Sequence, residues 1–426
     1  MDRKPSVLVS SMALFSMFFG AGNLIFPPFL GHISGTQYLA SMIGFLLTGV
    51  GLVHFGVVAT SKSGGGINDI GLKVGNGFAT LFALLIILCI GPGLAIPRTA
   101  ATTYEIIQAS LLPGLNPIIS SIIFFSIVIA FVLKPNNVID AVGKYLTPVL
   151  LTVLVIIIVK GLISPIDAIV KTDIINPFGI GFLEGYQTMD ALAALVFASV
   201  VINDFKNKGV SDENELIKLT TKSMFIAAIG LCIVYGGLLY IGAQTSSQNL
   251  QDLDKVKLLI HVTDSLLGNL GKYILAITMA FACITTAIGL TSTVENFFFE
   301  LFKGKINRTV IVLISTLFSG FFAVNGVESI VSISAPVLSM LYPVAIVLIF
   351  FNMFPNKFNK RSTYRGAVLG AFIPTIFMLL GMMNIEIAFI SNMKNMIPSF
   401  YHNFLWIIPA ALLGVLFTVL DKSEHI

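Results

Sequence analysis

Apolar positions in this chain do not recur with a helical period of one buried stripe. They come as long runs separated by short polar connections. A bilayer core takes about 20 apolar residues per crossing helix, and by that measure about twelve runs qualify: 7–30, 38–60, 77–109, 116–133, 145–163, 179–203, 222–244, 271–302, 308–325, 329–352, 366–384 and 401–420. The longest polar connections, 203–221 and 245–270, are too short to hold a soluble domain. The pattern therefore predicts an all-α membrane protein, residues 1–426 forming one transmembrane domain.

Two runs are interrupted where a spanning helix should be continuous. Residues 15–28 read FSMFFGAGNLIFPP, placing Gly20, Ala21, Gly22 and Asn23 at mid-span. Residues 178–197 read FGIGFLEGYQTMDALAALVF, with Gly179, Gly181 and Gly185 ahead of Tyr186, Gln187, Thr188 and Asp190. Glycine loses about 1 kcal/mol against alanine in a helix, and backbone freed at membrane depth must be buried in protein or line a wet cavity. Runs one and six traverse the membrane in opposite directions, which predicts inverted halves at roughly 7–163 and 179–352, with peripheral helices at roughly 366–384 and 401–420. The plainer alternative is that the glycines permit close helix packing, with Asp190 as an N-cap for the following run.

Composition agrees with lipid as the solvent. The chain is 56% hydrophobic and 11% charged, with a mean hydropathy of +0.94, against about 25% charged residues in soluble domains. A net charge of +4 spread over many connections excludes a nucleic-acid patch. Cys89, Cys232 and Cys283 lie in apolar runs without metal-ligand spacing and read as small core residues, and the five histidines are scattered. With a cytoplasmic N-terminus, eighteen of the 25 Lys and Arg fall on the cytoplasmic side, six fall opposite (Lys160, Lys171, Lys255, Lys257, Lys272, Lys394), and Arg98 lies within the third run. That asymmetry predicts both termini in the cytoplasm.

Two other segments change little. Arg3 and Lys4 before an apolar run suggest a signal peptide, but the run is too long and leads into Pro27-Pro28, so a retained first span is expected. SKSGGGINDIG at 61–71 lacks the ending of a phosphate loop and reads as a flexible cytoplasmic hairpin.

The candidate chemistry follows from the interruptions. Half-helices starting after each break present free N–H groups and a positive dipole end, suited to a carboxylate. Freed carbonyls suit a small cation or an ammonium, so an amino acid matches both. Thr285 and Thr286 in the eighth run bring hydroxyls that a hard cation accepts, unless they bond their own helix carbonyls. The ionisable residues inside runs are Arg98, Glu105, Glu184, Asp190 and Glu295, and each should face protein or water. Arg98 and Glu105 read as structural anchors or gates, and Glu295 as a solvated charge near the cytoplasmic end. A channel would need a continuous polar stripe and a membrane enzyme a catalytic cluster at one interface. Neither pattern is found.

FSMFFGAGNLIFPP, FLEGYQTMDALAALVF and IGPGLAIPRTAATTYE resemble the signature segments of the bacterial branched-chain amino acid:cation symporters. The resemblance covers nearly the whole chain. It implies a leucine-transporter-like fold of five plus five inverted helices in the cell membrane, surrounded by lipid, with no oligomer specified. It further implies uptake of leucine, isoleucine and valine driven by a sodium or proton gradient, with no cofactor beyond Na+ or H+ as coupling ion. Carried over position by position, Gly20, Ala21, Gly22 and Asn23 would hold the substrate carboxylate, and Gly185, Tyr186, Gln187 and Thr188 would line its ammonium and side-chain pocket. Sodium would take carbonyls of Ser16, Phe19 and Ala282 and hydroxyls of Thr285 and Thr286. Met17 replaces an asparagine of a second ion site, which implies one ion. If a proton is coupled instead, Asp190 or Glu184 is the expected carrier.

Overall fold

The structure is a computed structural model describing residues 6–133, 138–250, 253–382 and 403–421. The described residues form helices and connections, with no strand among them.

Each apolar run falls on helix over its described residues; 383–384 and 401–402, at the edges of the last two runs, lie outside them. α1 (Val7–Phe18) and α2 (Ala21–Ser34) make the first run, and α3 (Tyr38–Leu46) continues through a π turn at Leu47–Gly51 into α4 (Leu52–Lys62). α5 (Asn76–Leu88) passes through a second π turn, Cys89–Gly93, into α6 (Ala95–Ser110). α7 (Pro117–Leu133) and α8 (Val138–Ile163) precede the second interrupted run, α9 (Pro177–Gln187) and α10 (Asp190–Asn207). There follow α11 (Glu213–Ala243), α12 (Lys255–Leu301), α13 (Arg308–Ala323), α14 (Val327–Met353), α15 (Arg361–Met382) and α16 (Ile407–Leu420). The α12 stretch is two helices divided at Gly268, whose φ of 64° lies in the left-handed region that glycine enters without a Cβ penalty. Among the described residues, five helices, or six counting the bent pair α9–α10, are long and apolar enough to cross a membrane.

Polarity is arranged inside out. Large apolar side chains stand exposed on the outer faces, including Ile122 on α7, Leu317 and Phe321 on α13, and Val415 and Val419 on α16. The centre instead buries Asn23, Arg98, Gln187, Thr188 and Asp190. Only a lipid solvent makes that distribution favourable. Cys232 departs from the expected core placement and is exposed on α11, whereas Cys89 and Cys283 are buried.

Missing side chains bring helices together. A Cβ on Gly31 would overlap the Leu239 carbonyl, and one on Gly242 the Pro28 carbonyl, so α2 and α11 meet backbone to backbone. α15 and α16 pack as a pair, and α15 rests on α14.

The 61–71 segment is not the flexible hairpin expected. Asp69 Oδ2 accepts from the Gly66 N–H at 2.9 Å, closing the turn on itself. Asn352 Nδ2 donates to the Ile70 carbonyl at 3.0 Å, and Ile70 is fully buried. Glycine-rich composition reports local freedom, which these long-range contacts remove.

Candidate substrate and ion site

The first span breaks one residue earlier than its glycines suggest. Phe19 (φ −79°, ψ 91°) and Gly20 (φ −119°, ψ −167°) are extended. Ala21, Gly22 and Asn23, expected to be unwound, instead form the first turn of α2. The reason is that first-turn N–H groups have no intrahelical partner, so weak helix formers cost least there and leave their donors available. Gly20 is small because α12 presses on it: a Cβ would stand 3.3 Å from Thr286 Cγ2.

The sixth span breaks later than expected. Gly185, Tyr186 and Gln187 remain in α9, and the chain turns at Thr188–Met189, where the two half-helices bend by 43°. Met189 adopts φ 62°, a left-handed conformation costing a non-glycine residue roughly 1–2 kcal/mol. The glycines ahead of the break serve packing. A Cβ at Gly181 would overlap the Ser41 carbonyl, one at Gly185 the Thr48 hydroxyl, and one at Gly44 the Phe178 carbonyl, so α3 and α9 lie in direct backbone contact. The π turn after α3 directs Thr48 Oγ1 to donate to the Phe182 carbonyl at 2.9 Å.

Side chains bridge the two breaks. Asn23 Nδ2 donates to Asp190 Oδ2 at 2.5 Å and also contacts Tyr235 Oη, while Tyr235 donates to the same Oδ2 at 3.0 Å. Asp190 is the first residue of α10, yet its carboxylate serves this network rather than an N-cap; Met189 holds the cap position. Arg98, on α6, reaches across from the third span. Its Nη1 donates to the Gln187 carbonyl at 2.5 Å and Nη2 lies 3.5 Å from the Thr188 carbonyl, with the guanidinium 5.4 Å from the centre of the Phe26 ring. These carbonyls end α9 and lack intrahelical donors, so a cation is their natural partner. Ser334 Oγ on α14 donates to Gln187 Oε1 at 2.8 Å.

A small cavity opens between the breaks. Met17, Phe18 and Gly20–Asn23 line it from the first span, Ile90, Ala95, Arg98 and Thr99 from the third, Thr188–Asp190, Ala193 and Phe197 from the sixth, and Thr286 and Leu290 from the eighth. Of the proposed substrate residues, Gly20, Ala21, Gly22, Asn23 and Thr188 line it. Gly185, Tyr186 and Gln187 lie behind the wall, with Tyr186 stacked on Tyr342 at 3.9 Å between ring centres.

The two adjacent threonines behave differently. Thr285 Oγ1 donates back to the Ala282 and Phe281 carbonyls, at 2.8 and 3.1 Å. Thr286 Oγ1 is buried without a protein partner and faces Gly20. Among Ser16, Phe19, Ala282, Thr285 and Thr286, only Thr286 lines the cavity. The others lie within one helical turn of the break or of Thr286.

The remaining acids take separate roles. Glu105 Oε1 accepts from the Val327 N–H at 2.8 Å, anchoring the first turn of α14 to α6. Glu184 does not line the cavity, and its Oε2 is buried without a partner. Glu295 is not simply solvated: it pairs with Arg308 at 2.5 Å. Tyr235 is the residue that sequence reading missed. Its signal was a phenol directly ahead of two glycines, Gly236 and Gly237, in the apolar run of α11.

Solved structures of similar architecture include Mhp1 in an inward-facing conformation, with a TM-score of 0.63, 12% identity and coverage of 97% of this chain and 90% of Mhp1. A closed form of Mhp1, a nucleobase-cation-symport-1 family transporter with bromovinylhydantoin bound, gives 0.58 and 14%, covering 98% and 93%. At these identities the likeness concerns the fold, which is leucine-transporter-like. The branched-chain amino acid permease BraB of Bacillus subtilis is 37% identical over 375 residues, 86% of this chain and 84% of BraB. The permease BrnQ of the same organism is 36% identical over 420 residues, 96% and 95% of the two chains, and that of Corynebacterium glutamicum 37% over 392, 89% and 88%. Residues 3–424 match the family described as branched-chain amino acid transport protein. The chain is thus a multi-pass membrane transporter rather than an enzyme, and it belongs to the branched-chain amino acid transport protein family.

Proposed function

We propose that this protein imports leucine, isoleucine and valine across the cell membrane in symport with one sodium ion, by alternating access between inverted halves at roughly 7–163 and 179–352, both termini being cytoplasmic. The observation that carries this reading is the cavity at which both interrupted helices meet, with the Thr286 hydroxyl buried beside Gly20 and lacking a protein partner. An apolar membrane interior places an unpaired hydroxyl there only at a cost, and a hard cation removes that cost. Carbonyls at the end of α1, those of Ser16 and Phe19, and that of Ala282 complete an all-oxygen set with Thr285 and Thr286. The hydroxyl of Thr285 donates to its own helix and still offers a lone pair.

In the orientation proposed, Met17, Phe18, Phe197 and Leu290 lie on the cytoplasmic halves of their spans, while Arg98 ties α9 to α6 toward the outside. Each ligand must raise the other's affinity by the same factor for transport to be coupled. One positive charge entering gains about 2.3 kcal/mol per 100 mV. An apolar pocket separates substrates differing by one methylene by only about 1–3 kcal/mol, so all three branched-chain amino acids are accepted.

Uptake of labelled leucine into proteoliposomes under a sodium gradient, with the proton gradient collapsed, tests the proposal: accumulation supports it and its absence overturns sodium coupling. A second reading, proton coupling, draws on the buried Asp190 carboxylate joining both breaks. It is supported if accumulation requires only the proton gradient and is lost in Asp190→Asn.

A further inference from the structure

The cavity between the breaks is lined by two charged residues, Arg98 and Asp190, of opposite sign. They are 3% and 4% exposed. Buried opposite charges ordinarily pair with each other, because desolvation leaves an isolated charge costly. Here they form no ion pair; the neutral carbonyls of Gln187 and Thr188 hold Arg98, and the neutral donors Asn23 and Tyr235 hold Asp190. Two separated charges of opposite sign across a small cavity are the complement of a zwitterion.

We infer that Arg98 and Asp190 are the charged contacts of the substrate, the guanidinium receiving the α-carboxylate and the Asp190 carboxylate receiving the α-ammonium. This rests on the amino-acid reading above and changes which groups carry it, from freed backbone alone to a pair of side chains.

Two observations orient the substrate. Nη2 of Arg98 lies against the first turn of α2, so close that a Cβ on Gly22 would stand 2.8 Å from it. The guanidinium thus sits beside the first turn of α2, whose N–H groups have no intrahelical partner, and both are carboxylate donors. Asn23 and Tyr235 meanwhile converge on one oxygen, Oδ2, which fixes the Asp190 carboxylate at the start of α10 while the residue lines the cavity. With both charged groups on one α-carbon engaged, the side chain is directed toward Met17, Phe18, Phe197 and Leu290, all apolar. Asp190 belongs to the sixth span and Arg98 to the third. A bound zwitterion therefore bridges elements whose direct polar link at this point, among the described residues, is the Arg98 contact with the end of α9.

Binding of three probes to the purified full-length protein tests the assignment: leucine, 4-methylpentanoate, which lacks the ammonium, and 3-methylbutylamine, which lacks the carboxylate. In Asp190→Asn, leucine affinity should fall about thirtyfold or more, as when one partner of a buried charge pair is removed, while 4-methylpentanoate binds at least as well as to the unaltered protein. In Arg98→Gln the converse holds: leucine weakens and 3-methylbutylamine does not. Asp190→Glu, which keeps the charge, should recover part of the leucine affinity. The clamp is overturned if either folded variant binds leucine normally, or if Asp190→Asn weakens leucine and 4-methylpentanoate equally. The Arg98 arm decides the matter should Asp190→Asn not fold. Failure of the unaltered protein to bind leucine would instead overturn the substrate reading itself.

Discussion

Asn23 and Asp190, 167 residues apart, share a buried hydrogen bond of 2.5 Å that joins the first turn of α2 to the first turn of α10. The two interrupted spans are thereby linked at their interruptions by side chains as well as by a common cavity. Tyr235 closes the triangle from α11 through the same carboxylate oxygen.

Replacing Asn23 by alanine removes one of the side-chain donors holding Asp190. Hydrogen bonds to a charged group contribute about 1.5–3 kcal/mol, so Asn23→Ala should lower stability by an amount within that range and weaken leucine binding together with it. Thermal unfolding and leucine titration of the purified variant check this. Unchanged values in both would mean that the bond contributes nothing to the site.

Thr285 and Thr286 should not be equivalent. Thr286→Val removes a hydroxyl that has no protein partner, so the protein should unfold at nearly the usual temperature while sodium stimulation of leucine uptake falls about tenfold or more, the loss of roughly one charge-assisted contact. Thr285→Val removes a hydroxyl engaged with its own helix, and a smaller loss is expected. Sodium titrations of uptake at fixed leucine distinguish the two, and equal effects would contradict the asymmetry.

Gly181 and Gly289 are both helical glycines with opposite tolerance. A Cβ at Gly181 would meet the backbone of Ser41, whereas nothing lies within 4 Å of one at Gly289. Overpacking costs about 1–3 kcal/mol or more when backbone must move. Gly181→Ala should therefore destabilise the protein measurably, and Gly289→Ala should be neutral or slightly stabilising, by up to about 1 kcal/mol from helix propensity. Comparison of unfolding midpoints in one detergent provides the check.

Glu105 fastens α14 to α6 through the Val327 N–H. Glu105→Ala leaves that buried donor unpaired, at about 1–3 kcal/mol. Glu105→Gln keeps an acceptor in place and should retain most of the stability. A loss of leucine affinity larger than the loss of stability in Glu105→Gln would show that the charge itself serves the site.

Much of this arrangement was legible in the chain because transfer into lipid is a local property. The runs of apolar residues read out helix positions, and the two polar, glycine-bearing interruptions pointed to where spans one and six would part. The resemblance of the same segments to a transporter family pointed to the same place. Legibility stopped at the conformation of each interruption. Glycines at 181 and 185 looked like part of a break, but their missing side chains serve contact with α3 and the π turn after it; the break itself fell on Thr188 and Met189, neither a helix breaker by type. Gly22 and Asn23 looked unwound and are helical.

What the sequence alone determined, then, was the solvent, the helices and the pair of spans that depart from helicity, since each follows from residues near one another in the chain. Tertiary structure decided which groups meet. It turned Thr286 toward Gly20 while Thr285 bonded its own helix, and it brought Tyr235 onto Asp190 and Arg98 onto the end of α9. Those pairings depend on how helices distant in sequence pack, because a buried polar group must find its partner wherever packing places one.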